Sequence, residues 1–248
     1  VLKVKRNIKL TIEYDGKNYS GWQRQKDVMT IQQKIEDVIS EITRENIEVI
    51  GCSRTDSGVH AKAFVCNFIT ESTIPSEKFK LAINQKLPKD IVILNSEKVD
   101  LEFHSRYHSK GKTYLYNILN RQERPVINRD YVYHFNKNLD IDLMIEASKY
   151  FLGTHEFDSF KNIGSSVQTT ERTIYNLNIY KDEQNIKIQV TGDGFLYNMV
   201  RIMVGTLLDV GMGKIPPNAI KHIIAAKDRT KAGRAVPAQG LYLQQVYY

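Results

Sequence analysis

Gly51-Cys52-Ser53-Arg54-Thr55-Asp56-Ser57-Gly58-Val59-His60 separates two apolar runs, residues 47–50 and 63–69. The runs are short and rich in β-branched and aromatic residues, so they read as strands and the stretch between them as a turn. Asp56, Ser57 and Gly58 in a row favour Asx-type or left-handed backbone, and Gly58 takes a positive φ without steric cost. A turn between strands holds its side chains on a stiff base at the surface, where reacting groups can meet a substrate. Arg54 stands two residues before Asp56. A loop Asp is more often a turn-former bonded to a nearby amide than a reacting group, so the rest of the chain has to decide what Asp56 does.

Around this turn the hydropathy pattern is that of an α+β protein. Residues 7–14 alternate as a strand, with Ile8, Leu10 and Ile12 on one face. The polar, aromatic loop that follows carries Tyr19, Trp22, Gln23, Arg24 and Gln25. Trp22 reads as a packing anchor, and Gln23, Arg24 and Gln25 as better placed to meet phosphates or base edges. Thr30 and Gln33 form a capping box before a helix with Ile31, Ile35, Val38, Ile39 and Ile42 at helical spacing. A second helix starts at Ser76 and stops near Pro88, and residues 91–94 are a buried strand.

The second half opens with a strand over 112–119 that puts Tyr114, Tyr116 and Ile118 on one face. A helix over 140–152 with Gly153 as its C-cap follows, then a hairpin of 172–180 and 185–190 over residues 181–184. Helices over 195–210 and 217–226 and a strand over 240–246 complete the pattern. The expected architecture is two similar α+β halves, residues 1–105 and 106–248. Their antiparallel or mixed sheets join into a continuous central sheet flanked by helices, with an active-site cleft between the halves.

Composition narrows the chemistry. Lys and Arg number 35 against 28 acidic residues, a formal +7, which favours a polyanionic partner. The 14 tyrosines suit base stacking as well as strand cores. Cys52 and Cys66 match no metal or redox spacing, which fits a reducing cytoplasm. No apolar run reaches the length of a membrane span, and the basic start at residues 1–7 lacks the apolar region of a signal peptide. Phosphate-cradling, dinucleotide, nucleophile-elbow and zinc-protease motifs are all missing. His104 and His108 are four apart but lie in a stretch without helical pattern, and His155-Glu156 reads more simply as solvated than as an acid–base pair. The expectation is therefore chemistry with ordinary side chains, with no cofactor and no metal.

Five blocks in order resemble the TruA family of tRNA pseudouridine synthases. They are Tyr14-Asp15-Gly16 with Tyr19-Ser20-Gly21-Trp22-Gln23; Ser53-Arg54-Thr55-Asp56-Ser57-Gly58-Val59-His60-Ala61; Phe103-His104-Ser105-Arg106 with Lys112-Thr113-Tyr114-Leu115-Tyr116; Gly194-Phe195-Leu196-Tyr197-Asn198-Met199-Val200-Arg201 with Val204-Gly205; and Ala226-Lys227-Asp228-Arg229 with Pro237-Ala238-Gln239-Gly240-Leu241. Ser53 stands where the family usually has Gly, and Val236 where it usually has Ala; neither removes a reacting group.

The resemblance implies isomerisation of uridine to pseudouridine in the anticodon stem-loop of tRNA, at positions 38, 39 and 40, by a cytoplasmic homodimer. It implies Asp56 as the essential carboxylate, ion-paired to Arg201, and Tyr114 as the ring that stacks on uracil and can accept the C5 proton. Arg54 resembles the residue that helps turn the base out of the stack, and Leu241 a wall of the uracil pocket. Arg24, Lys26, Arg106, Lys110 and Lys112 are the cations expected to hold phosphates. The competing reading is an RNA-binding protein of the same fold without catalysis, which would have no need of Asp56, Tyr114 and Arg201 together.

Overall fold

The computed structural model describes residues 4–162, 164 and 169–248. Residues 1–3, part of the basic start, lie outside the described residues. The chain divides into two compact units, Val1–Lys110 with Tyr242–Tyr248, and Gly111–Leu241. The final strand residues thus belong with the unit that begins the chain.

In the first unit, strand β1 (Arg6–Tyr14) is the centre. It lies antiparallel to β3 (His60–Thr70) on one side and β4 (Ile91–Val99) on the other. A two-residue strand β2 (Ile50–Gly51) pairs with the middle of β3, Ile50 opposite Asn67 and Gly51 opposite Cys66. The last strand, β10 (Leu241–Tyr247), runs parallel to β3 with Tyr242 opposite His60. Helix α1 (Ile31–Thr43) starts where expected, with the Thr30 hydroxyl accepting from the Gln33 amide. Its apolar stripe of Ile31, Ile35, Val38 and Ile39 is buried; each such side chain contributes on the order of 1.5–3 kcal/mol. Helix α2 (Phe79–Asn84) follows a single 3-10 turn from Ser76.

In the second unit the order is β5 (Gly111–Asn120), β9 (Asn185–Gly192), β8 (Glu171–Asp182) and β7 (Gly153–Glu156), with β6 (Tyr133–Phe135) parallel to β5. Tyr114, Tyr116 and Ile118 share the buried face of β5. Helices α3 (Ile141–Ser148), α4 (Met199–Gly211) and α5 (Ala219–Ala226) complete it. Both units are α+β with mixed sheets, the expected class.

Four local expectations need correction. Of the run 47–50 only Ile50 lies in a strand, with Gly51 as its neighbour in β2. The helix from 140 ends at Ser148, tightens into a 3-10 turn at Lys149–Phe151, and leaves Gly153 (φ +94°) to open β7 rather than cap the helix. The hairpin loop has two residues, not four. Asp182 already pairs with Asn185, and Glu183 takes φ +52°, as two-residue hairpin loops require; a Glu there gives no turn signal. Helix α4 begins at Met199 rather than 195, because Asn198 sits at φ +60° and cannot continue a helix backwards.

Candidate functional site

The Asp56 turn rests on the loop that follows β1. The Trp22 amide donates to the Thr55 carbonyl (3.1 Å), and the Gly58 amide and Ser57 hydroxyl both donate to the Tyr19 carbonyl (3.4 and 3.2 Å). The Tyr14 hydroxyl bonds Thr55 Oγ1 at 2.8 Å. Such close approach excludes side chains. A Cβ at Gly16 would collide with the Val59 carbonyl, and one at Gly21 (φ +83°) with the Thr55 carbonyl and the Asp56 backbone. The turn itself closes through the Val59 amide on the Asp56 carbonyl (3.1 Å), with Gly58 at φ +78° in its third position. The glycines and aromatics of the two sequence blocks are therefore one structure, a frame that fixes the backbone on either side of Asp56.

Beneath the frame, Trp22 is 1% exposed and stacks on Phe64 with ring centroids 3.9 Å apart. It is the packing anchor expected. His60 is buried and stacked on Tyr242; its Nδ1 lies 3.1 Å from the Gly16 amide and 3.0 Å from Asp15 Oδ1. Burial and the Asp90 carboxylate, which accepts from the Tyr19 hydroxyl, push that phenol well above its ordinary range, so it stays a donor. Burial, with Cys52 and Glu36 nearby, raises the Cys66 thiol far enough to keep it protonated and inert.

In the second unit, Tyr114 packs edge-on against Phe195 (5.2 Å) on the face it shares with Tyr116. The Tyr116 hydroxyl donates to the Pro237 carbonyl at 2.7 Å, and burial raises its pKa well above the phenol range. Gly240 packs against the Tyr116 ring where a Cβ has no room.

Arg201, on the first turns of α4, donates from Nε to the Val236 carbonyl (2.7 Å) and from Nη1 to Asn198 Oδ1 (2.6 Å). The Val236 amide returns a bond to the Arg201 carbonyl (3.2 Å). Segment 233–236 reaches the helix because Gly205 has no side chain to block the Arg234 carbonyl, and the Thr206 hydroxyl accepts from the Gly233 amide (2.9 Å). Arg229 in turn holds the Gly233 carbonyl (3.0 Å), and Asp228 caps its own turn at Thr230. The blocks at 194–205 and 226–241 are the scaffold of the Arg201 guanidinium.

The remaining expected residues divide by environment. Arg54 and Arg106 are exposed, Leu241 is buried, and Lys112 is only 8% exposed. Arg24, 53% exposed, bonds Glu36 Oε2 at 2.8 Å, and Glu36 is a buried carboxylate that also accepts from Gln32 and the Val49 amide. Glu36, His60, Asn198 and Thr206 bond the segments around these residues, and no role was expected of them from the sequence, although His60 and Asn198 lie within the resembling blocks. Asn198 had a signal, three residues before Arg201 at a helix start; Glu36, hidden among helix-surface polar residues, had none. Among the described residues, no group of three or more His, Cys, Asp or Glu is placed to hold a metal ion, and no helix is long and apolar enough to cross a membrane. His155 Nε2 lies 2.8 Å from the Leu152 carbonyl, and Glu156 pairs with Lys227.

A family model described as tRNA pseudouridine synthase matches residues 10–108 and 147–248. The chain is 61% identical over 243 residues to tRNA pseudouridine synthase A of Clostridium acetobutylicum, covering 98% of this chain and 100% of that protein. It is 58% identical over 243 residues to tRNA pseudouridine synthase A 2 of Clostridium perfringens, with the same coverage. To tRNA pseudouridine synthase A of Acetivibrio thermocellus it is 51% identical over 243 residues, again covering 98% and 100%.

Proposed function

The chain belongs to the tRNA pseudouridine synthase (TruA) family, a family of isomerases, and from that membership we propose that it modifies uridines on the 3′ side of the anticodon arm, tRNA positions 38, 39 and 40, with Asp56 as the essential carboxylate. The reaction breaks the N1–C1′ bond, turns the detached uracil and joins C5 to C1′. The proton lost from C5 is balanced by the one N1 gains, so the product is an isomer and no co-reactant is consumed.

Asp56 acts ionised, whether it attacks C1′ or C6 or removes the C2′ proton. Arg201 supplies the cation that favours the ionised form. Tyr114 stacks on the uracil and takes the C5 proton. Tyr116, its neighbour on the same face, has its hydroxyl committed to the Pro237 carbonyl and is the packing residue of the two. Arg54, exposed beside Asp56, enters the space the base vacates. Arg106 holds phosphate; Lys112 is largely buried, and for Arg24 the bond to Glu36 favours a structural role. The enzyme acts as a cytoplasmic homodimer, for which light scattering would give twice the chain mass.

The observation that carries the reading is the Asp56 turn. Its backbone is held from both sides by bonds to Tyr19 and Trp22, so the Asp56 carboxylate is carried on a chain with little freedom to lose on reaching the transition state. The test is tritium release from tRNA labelled at uridine C5, for the wild type and Asp56→Asn, with tRNA binding measured in parallel. Asparagine keeps the size but is neither an anionic nucleophile nor a base. Release by the wild type alone, with binding by both, is the expected result. Binding without release by the wild type would favour the non-catalytic RNA-binding protein, and release by both would remove Asp56 from the chemistry.

A further inference from the structure

The loop between β4 and β5 has an exposed tip and a base held by many hydrogen bonds. Two buried asparagines tie it down. Asn7 Nδ2 donates to the carbonyls of Asp100 (3.0 Å), Leu101 (3.3 Å) and Phe103 (2.8 Å), while Asn67 accepts from the Ser105 amide at 2.9 Å. Ser105 is fully buried, its hydroxyl donates to the Ile50 carbonyl (2.5 Å), and its own carbonyl accepts from the Tyr248 hydroxyl (2.7 Å). Ile50 is on β2, the strand that leads directly into the Asp56 turn. The loop is thus bolted to the same backbone as the carboxylate, within one unit.

The next residues form a stack. His104 Nδ1 accepts from the amides of Arg106 (3.2 Å) and Tyr107 (3.3 Å), and His108 Nδ1 lies 3.3 Å from the His104 amide. These bonds hold the His104 ring 4.2 Å from the Tyr107 ring at 32°, with the Arg106 guanidinium 5.7 Å from the same ring. Burial, with His108 and Arg106 close by, lowers the His104 pKa, which keeps the imidazole neutral and its Nδ1 an acceptor at pH 7. After both contacts Tyr107 is still 73% exposed. A tyrosine held by two neighbours, with its ring uncovered and a guanidinium alongside, is costly to order unless something uses it.

We propose that His104, Arg106 and Tyr107 form a stacking platform for one unpaired base of the tRNA, outside the uracil pocket. The proposal rests on the tRNA reading above. An aromatic face with an adjacent guanidinium binds any base through its π-face, with the cation near the attached phosphate. Because the platform is anchored through Ser105 to β2, a base seated on it would fix the register of the RNA relative to Asp56. Tyr107 is therefore a positioning residue for the reaction, not a catalytic one.

The test uses the full chain and unmodified tRNA. Wild type, Tyr107→Ala and Tyr107→Phe are compared for tRNA affinity across salt concentrations and for single-turnover tritium release at saturating enzyme. Tyr107→Ala is expected to weaken binding roughly five- to a hundredfold. The slope of log affinity against log salt should not change, because no phosphate contact is lost. The saturated single-turnover rate should fall for Tyr107→Ala and hold for Tyr107→Phe, because tRNA bound out of register presents its target uridine to Asp56 less often. Tyr107→Phe should keep wild-type affinity, since the ring and not the hydroxyl stacks. An affinity for Tyr107→Ala within twofold of wild type, with the wild type active, overturns the platform and leaves the synthase reading intact. So does equal loss in both variants, or a reduced salt slope for Tyr107→Ala. A wild type that neither binds tRNA nor releases tritium overturns the synthase reading, and the platform with it.

Discussion

At the scale of single residues, the positions that matter most around Asp56 are those with no side chain. Gly21 combines a positive φ with direct contact to the backbone of the turn, whereas Gly213 has a positive φ in open space. The two separate backbone strain from framing. Gly213→Ala should cost about 1–2 kcal/mol, the penalty of a left-handed L-residue, and leave the enzyme active. Gly21→Ala carries the same penalty and must also push Thr55 and Asp56 aside. It should lower the denaturation midpoint further and reduce tritium release at saturating tRNA by at least an order of magnitude. Equal behaviour of the two variants in release assays would show that the frame does not position Asp56.

At the scale of the element, helix α1 carries an acid on its buried face. Glu36 is satisfied by Arg24, Gln32 and the Val49 amide, so α1, the loop before it and the entry to β2 share one carboxylate. Arg24→Ala leaves that charge in an apolar setting with one partner fewer. Because Arg24 is itself half exposed, the cost should be about 1–2 kcal/mol, below that of breaking a fully buried pair. Glu36→Gln in the same chain should recover part of it, with a double-mutant cycle in urea as the measurement. Additive losses would mean that the pair contributes nothing. A large fall in tRNA affinity for Arg24→Ala at unchanged stability would return Arg24 to the phosphate contacts.

At the scale of the whole molecule, the chain's last residues belong to its first unit. Within residues 242–248, Tyr242 and Leu243 pair with His60 and Ala61 of β3, Tyr242 stacks on His60, and the Tyr248 hydroxyl bonds the Ser105 carbonyl. A chain ending at Leu241 should therefore lose amide-exchange protection in β3 and in the 100–110 loop. The hairpin of β8 and β9 should keep its protection. Loss confined to the second unit would contradict the division. The truncated chain should also fail to release tritium, since the Asp56 turn ends on the strand it exposes.

What the sequence determined by itself was local. The Thr30 cap, the alternation of β1 and β5, the buried stripe of α1 and the left-handed Gly58 follow from neighbours two to four positions apart. The resemblance supplied the order of the blocks and the roles expected of Asp56, Tyr114 and Arg201, without saying why the blocks contain the residues they do. The tertiary structure decided that. Gly16 meets His60 across 44 residues, Asn7 meets Phe103 across 96, and Tyr248 meets Ser105 across 143. Closing a loop costs free energy that grows only with the logarithm of its length, so distant partners are nearly as accessible as close ones and leave no periodic trace. Gly16, Gly21 and Gly205 are places where backbone meets backbone, and Arg24 pairs with a carboxylate that the helix buries.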